Sequence, residues 1–149
     1  MSLSHKEYLQ INQALFSLTQ TYKSRAASEK QRNPTGLTFS GRSVLMVMGQ
    51  CAPLNSRQLS GIMDINPGTI SVYVQRLVEK GLLQKEQDQD DRRNWLLQLT
   101  EAGQAAYQET IAGAVVYTRD FLSALSESEQ QTLHRLLLKA SHSLGFDWQ

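Results

Sequence analysis

Two adjacent arginines, Arg92 and Arg93, follow the acidic run Asp88-Gln89-Asp90-Asp91 and stand between two short apolar segments. Arginine presents a planar fork of donors that suits phosphate and base-edge oxygens. At the tip of a hairpin such a side chain can enter a narrow DNA minor groove, where negative potential is concentrated. The plainer reading is a solvated turn whose arginines pair with Asp88, Asp90 or Asp91. Both readings can hold together, because an aspartate can orient an arginine. A second group, Gly68, Thr69, Ser71, Gln75 and Arg76, shares one face of a helical pattern that begins at Pro67. Glutamine can pair with adenine, arginine with guanine or phosphate, and hydroxyls with phosphate. An ordinary polar helix face has the same composition. Ser56 and Arg57, which open the short segment before that helix, and Asp91 at the tip complete the candidate set.

The elements that would position these groups can be read from capping and periodicity. Asn66 occupies an N-cap position and Pro67 the first helical position, where a missing N–H costs nothing. Ile70, Val74, Leu77 and Val78 form the inward stripe of this helix, and Gly81 ends it in the left-handed conformation. Val72 and Glu79 share its outward face. Before it, Ser56 can cap a short helix carrying Leu59, Ile62 and Met63, with Asp64-Ile65 as the turn. After it, 82–85 and 95–99 read as strands flanking a segment too polar to bury. Thr100 caps a long helix striped by Tyr107, Ile111, Ala114, Val115, Thr118, Leu122 and Leu125. Ser126 and Glu129 form a capping box before a last helix striped by Leu133, Leu136, Leu137, Ala140 and Leu144 and stopped by Gly145. Upstream, 4–26 reads as a helix whose Tyr8, Ile11, Leu15, Leu18 and Tyr22 recur at steps of three and four. Residues 24–38, with Asn33-Pro34-Thr35-Gly36, read as a loop. A helix capped by Thr38 or Ser40, with dense apolar positions Val44, Leu45, Val47 and Met48, ends at Cys51-Ala52-Pro53.

Composition narrows the function classes. Hydrophobic residues make up 40% of the 149, enough for a core. No apolar run approaches the ~18 residues of a membrane span, and the first residues show no signal-peptide pattern. A cytoplasmic protein without membrane association is expected. The net charge of +1 is uninformative, but its distribution is not: residues 100–149 carry three basic and six acidic side chains, a poor face for DNA. Residues 41–99 carry seven and six, so a DNA reading rests on architecture and not on bulk basicity. His134 and His142 are ~80° out of alignment on a helix, and no Cys/His cluster supports a metal. No Gly-rich phosphate loop or nucleophile–base motif is present. No catalytic residue, metal or cofactor is therefore expected, and an enzyme is not. Cys51 could sense oxidation, but it follows an apolar helix without a neighbouring base, and packing is the better reading. Tyr22, Phe39, Met46 and Tyr107 could line a ligand pocket or be ordinary core, as could Met48.

From Leu77 the chain reads L-V-E-K-G-L-L-Q-K-E-Q-D-Q-D-D-R-R-N-W-L-L-Q-L-T-E-A-G. This resembles the multiple-antibiotic-resistance regulator (MarR) family, whose wing carries D-x-x-D-x-R followed by a strand and L-T-x-x-G. Those positions are Asp88, Asp91, Arg93, Leu99, Thr100 and Gly103 here. Gly36-Leu37-Thr38 and Leu125-Ser126-Glu127-Ser128-Glu129 also look like the family. The resemblance implies a mostly α fold, a winged helix-turn-helix with a two-stranded wing, flanked by N- and C-terminal dimerisation helices. It implies a single domain over 1–149, with 38–99 as the DNA-binding part and 4–26 and 100–145 as the dimerisation helices. It further implies a homodimer on a pseudo-palindromic operator in double-stranded DNA, with Arg93 in the minor groove. A small lipophilic or phenolic effector, or cysteine oxidation, releases DNA in many members. Val72 departs from the family, which often carries a basic residue at that position. The expected function is a sequence-specific transcriptional regulator, a ligand-responsive repressor. The alternative is a winged helix used for protein–protein contact or scaffolding, which a salt-dependent shift of duplex DNA would separate.

Overall fold

The computed structural model describes residues 2–28 and 35–143. Asn33, Pro34, Leu144 and Gly145, read above as turn and helix-stop positions, lie outside them. The described elements run α1 (His5–Ser28), α2 (Phe39–Cys51), β1 (Leu54–Asn55), α3 (Ser56–Met63), α4 (Pro67–Glu79), β2 (Leu83–Gln87), β3 (Trp95–Leu99), α5 (Glu101–Leu122) and α6 (Glu127–Ser143). The chain is mostly helical with one small antiparallel sheet of order β1-β3-β2.

The core gathers around α2. Val44, Leu45 and Met48 are fully buried, and they meet Leu59 of α3, Ile70, Val74 and Leu77 of α4, and Leu97 of β3. Each such side chain contributes about 1.5–3 kcal/mol on leaving water. Thr38 caps α2, its hydroxyl accepting from Gly41 N–H at 3.2 Å. The α3–α4 corner is closed by Asp64, left-handed at φ 51°, and by the buried Ser60 hydroxyl, which donates to the Ile65 carbonyl at 2.5 Å. Asn66 caps α4 by accepting from Thr69 N–H at 2.9 Å, with Pro67 at the first helical position.

Several expectations need correction. The helix expected to end near Ala26 continues through the first residues of the expected loop to Ser28. Ala26 and Ala27 are strong helix formers, and nothing among Ser24–Ser28 breaks a helix. Asn55, not Ser56, caps α3: its side chain accepts from Gln58 N–H at 2.8 Å while Gln58 returns the bond at 2.9 Å. Leu54–Asn55 also forms a third strand, pairing Leu54 with Leu97 and Asn55 with Leu96, too short to carry a periodic signal. The inward face of α5 is Gly103, Ala106, Tyr107, Thr110, Gly113 and Tyr117, whereas Val115 and Thr118 are exposed. Tyr107 of the expected stripe is buried and Ile111 and Ala114 are half-buried, but the stripe of large apolar residues passes over the small residues Gly103, Ala106, Thr110 and Gly113 that complete the inward face.

Cys51, expected to pack, is exposed in the last turn of α2, beyond the buried Met48. The outer helices differ from the centre. Among described residues α6 buries none, and Tyr8, Leu9, Ile11, Leu15, Phe16 and Leu18 of α1 are exposed.

Candidate nucleic-acid interface

The L-T-x-x-G segment shows why the wing sits where it does. Thr100 N–H donates to the Leu82 carbonyl at 3.1 Å and its hydroxyl donates to the Gly81 carbonyl at 2.6 Å. The same hydroxyl accepts from Gly103 N–H at 2.9 Å, capping α5. A Cβ on Gly103 would collide with the Leu82 carbonyl. Gly81, at φ +70°, makes the turn out of α4 that brings Leu82 into that position. One threonine and two glycines thus tie the end of α4, the start of the hairpin and the start of α5 to a common point.

From that point β2 and β3 run outward as an antiparallel pair from Leu83↔Leu99 to Gln87↔Trp95. At the tip the Asp91 carboxylate accepts from Arg93 N–H at 3.0 Å and from the Asn94 amide at 3.2 Å. Asp88 accepts from Asp90 N–H at 2.9 Å, and Gln87 donates to the Arg92 carbonyl at 2.7 Å. The aspartates therefore shape the backbone of the turn. Arg92 and Arg93 are exposed, and among the described residues neither guanidinium makes an ion pair or hydrogen bond. The arginine–aspartate pairing of the plainer reading is absent among the described residues; Asp91 accepts instead from the Arg93 backbone N–H, which leaves both charged ends available.

On α4, Gly68, Ser71, Val72, Gln75, Arg76 and Glu79 are exposed and Thr69 is half-buried. The Ser71 hydroxyl donates to the Pro67 carbonyl at 2.9 Å, so toward a partner it offers lone pairs. Gln75 donates to Glu79 at 3.0 Å, which ties up one amide hydrogen and leaves its carbonyl oxygen without a hydrogen bond among the described residues. Val72, 48% exposed, places an apolar patch mid-face. Ser56, Ser71, Gln75 and Arg76 line a single cleft together with Lys85 of β2. Lys85 was not among the sequence candidates. Its signal was available, as the one basic residue in the first strand of the hairpin. Arg57 is exposed on the first turn of α3, outside that cleft.

A separate cavity of about 400 Å³ opens between α1, α2, the α3–α4 corner and α5. Tyr22, Phe39 and Met46 line it, while Tyr107 stands apart, buried on α5 with its ring against Gly49. Tyr22 packs edge-on to Phe39 and Tyr117 at 5.9 and 4.7 Å between ring centres. Arg42, Ser43 and Thr110 also line the cavity and were missed by sequence reasoning.

Comparison with known proteins agrees with this architecture. The MarR family model matches residues 42–95, the span from α2 to the start of β3. The HTH-type transcriptional repressor MdtR of Bacillus subtilis is 28% identical over 130 residues, covering 87% of this chain and 76% of that protein. The crystal structure of a probable transcriptional regulator from Pseudomonas aeruginosa is 32% identical, with a TM-score of 0.74, covering 88% of this chain and 96% of that one. Streptococcus pneumoniae FabT, solved in complex with DNA, shares the fold at a TM-score of 0.76 and 19% identity, covering 93% of this chain and 97% of that one. The capped helix α4, the Thr100–Gly103 tie, the D-x-x-D-x-R hairpin and these matches together place the chain in the MarR family of DNA-binding, winged helix-turn-helix transcriptional regulators.

Proposed function

We propose that the protein is a homodimeric repressor that binds an approximately two-fold symmetric operator in double-stranded DNA and answers to a small effector. The observation that carries the DNA-binding mode is the pair of unpaired guanidinium groups at a hairpin tip whose backbone is already ordered by Asp88 and Asp91. A preshaped tip with free charge loses little conformational entropy when an arginine enters the minor groove. Arg93 is the principal groove residue, Arg92 and Arg57 bind backbone phosphate, and Asp91 acts by orienting the tip. On α4, Gln75 and Arg76 carry most of the base or near-base contacts. Ser56, Thr69, Ser71 and Lys85 contact phosphate, Gly68 admits the backbone, and Val72 offers contact to a thymine methyl.

The segment 38–99 is the DNA-binding part of the single domain 1–149, and 4–26 with 100–145 build the dimer. The exposed apolar side chains of α1 and α6 support that division. The repressive sign follows the name of the MdtR relative. The protein acts by binding and not by turnover, as befits a relative of transcriptional regulators. No helix among the described residues is long and apolar enough to cross a membrane, which fits a cytoplasmic regulator.

The test uses the purified protein and duplex DNA taken from upstream of its own gene. Affinity should fall steeply with salt, and a segment containing an inverted repeat should bind ~10³-fold or more above random duplex. Equal, salt-insensitive binding of both duplexes would overturn the reading.

A further inference from the structure

Across residues 35–114 the large apolar side chains left exposed are Val72, at 48%, and Trp95, at 55%. Val72 stands on the outward face of α4, among the residues assigned above to DNA. Trp95 opens β3, opposite Gln87 in the last pair before the hairpin tip. Side chains alternate between faces along a strand, so Trp95 shares its face with Leu97 and Leu99. Leu97 is buried in the core and pairs with Lys85, which lines the cleft with Ser56, Ser71, Gln75 and Arg76. Trp95 therefore lies on the hairpin face that adjoins this cleft, one step beyond the point where the core ends. On the other side of β3, Leu54 pairs with Leu97 and Asn55 with Leu96. That register brings Trp95 level with Ser56 at the start of α3. Arg57, Lys85, Arg92 and Arg93 stand on the segments around it, all exposed. Among the described residues the indole N–H makes no hydrogen bond.

A duplex does not present charge alone. Its phosphates are joined by deoxyriboses whose carbon faces are apolar, each beside oxygens that accept hydrogen bonds. Indole has the matching character, a broad apolar ring with a single N–H donor. Trp95 is two residues from Arg93, so their Cα atoms are at most about 7 Å apart. A minor groove is ~6 Å wide and ~7.5 Å deep. With Arg93 inside the groove, Trp95 is held near its rim, where the backbone sugars lie. We propose that Trp95 is a DNA-contacting residue, its indole ring packed on a deoxyribose at the rim of the groove that Arg93 enters and its N–H donating to the adjacent phosphate. This rests on the wing assignment given above and adds to it an uncharged contact that salt does not screen. A sugar is the same under every base, so the contact adds affinity and sets the depth of the wing without reading sequence.

The experiment measures operator binding by the intact protein over a range of salt. Trp95→Thr, which keeps a residue suited to a strand, should lower affinity about tenfold at every salt concentration. The slope of log affinity against log salt should not change, whereas Arg92→Ala should reduce it by about one. Trp95→Phe, which keeps a ring and loses the donor, should fall between. The loss in Trp95→Thr should be the same on every singly substituted operator. The chain's other tryptophan is Trp148, so in Trp148→Phe the tryptophan fluorescence comes from Trp95 alone. Saturating operator should cut its quenching by acrylamide at least twofold, and this measurement decides the matter should Trp95→Thr fail to fold. Wild-type affinity in folded Trp95→Thr, a loss confined to particular base pairs, or quenching that operator leaves unchanged would overturn the proposal. So would a ring already shielded in the free protein, which would mean that a second copy covers it. An operator that Arg93→Ala weakens and Trp95→Thr does not defeats the tryptophan contact and leaves the wing reading standing. A wild type that binds no duplex defeats both.

Discussion

Each residue of the wing and recognition helix has a distinct energetic signature. Arg93→Ala should weaken operator binding by about 1–3 kcal/mol and leave the melting temperature unchanged, because the side chain is exposed and makes no contact that holds the turn. A folded variant with wild-type affinity on the operator would remove Arg93 from the interface. Asp91→Ala is different. It should weaken DNA binding by loosening the turn, since both carboxylate oxygens hold the tip together. Gln75→Ala tests base reading. On a set of singly substituted operators at fixed salt, it should cost roughly 1–3 kcal/mol at the preferred base and little elsewhere. A mutant that keeps the same ranking and ratios at every position reads no base there. Because Gln75 is held by Glu79 at 3.0 Å, Glu79→Ala should give a weaker version of the same pattern.

At the scale of elements the decisive parts are the joints. Gly103→Ala should destabilise the fold by about 1–3 kcal/mol, because its new methyl meets the Leu82 backbone, which has no freedom to retreat. Thermal melting checks this, and an unchanged midpoint would mean that α5 can shift away at no cost. The outer helices are closed by capping boxes. Ser4 N–H and hydroxyl donate to Glu7 at 2.7 and 2.6 Å, and Ser126 N–H and hydroxyl both donate to Glu129 at 2.8 Å. In Glu7 the serine hydroxyl, then the Ser4 backbone N–H, holds the carboxyl below its ordinary value of 4.5; in Glu129 the Ser126 backbone N–H leads and the hydroxyl follows. A depressed folded-state value means that the box is intact above 4.5 and is lost as pH falls through the lower folded value. The Ser126 amide should therefore stay protected from exchange at pH 5 and lose protection only below pH 4.5, while Glu129→Gln should show no such step. A protection step above pH 4.5 in the wild type would contradict the assignment.

The molecule as a whole presents two faces of opposite character. One is the α4–wing face with Arg57, Arg76, Lys85, Arg92 and Arg93, and the other is made of the exposed apolar side chains that α1 and α6 each carry, Leu137 among them. Exposed apolar side chains of this kind are what the proposed dimer would bury. Sedimentation at micromolar concentration should show a dimer and no monomer. Leu137→Glu, placing a charge on that face, should give a monomer that keeps its helical signal and fails to hold the operator at concentrations that saturate the wild type. A dimeric Leu137→Glu protein would move the interface elsewhere. If the dimer is two-fold symmetric, the operator half-sites should be centred about one helical turn apart, ~10 bp. Footprinting of an operator with the spacer lengthened by five base pairs should show loss of one half-site.

Local chemistry determined most of the plan before any packing was known. Asn66-Pro67, Gly81, Thr100 and Ser126–Glu129 announce helix ends because caps and left-handed turns depend on residue type alone. Stripes such as Ile70, Val74 and Leu77 reveal a buried face because burial follows helical period. Period and caps do not extend to contacts made by small or isolated residues. β1 is two residues long and exists only because Leu97 and Leu96 of β3 pair with it. The inward face of α5 includes Gly103, Ala106, Thr110 and Gly113 beside Tyr107 and Tyr117, and Gly103 is needed for its close approach to Leu82 and not for hydrophobicity. Cys51 follows an apolar run yet faces out, because the helix turns its last residue away from the core. Arg42 is the sharpest case. In the chain it is one polar residue among apolar ones, and only the closing of α1, the α3–α4 corner and α5 around it removes its water and turns an ordinary arginine into an unpaired charge at a cavity wall. Capping and periodicity are local and therefore written in sequence. Desolvation is a property of what surrounds a group, and the tertiary structure alone decides it.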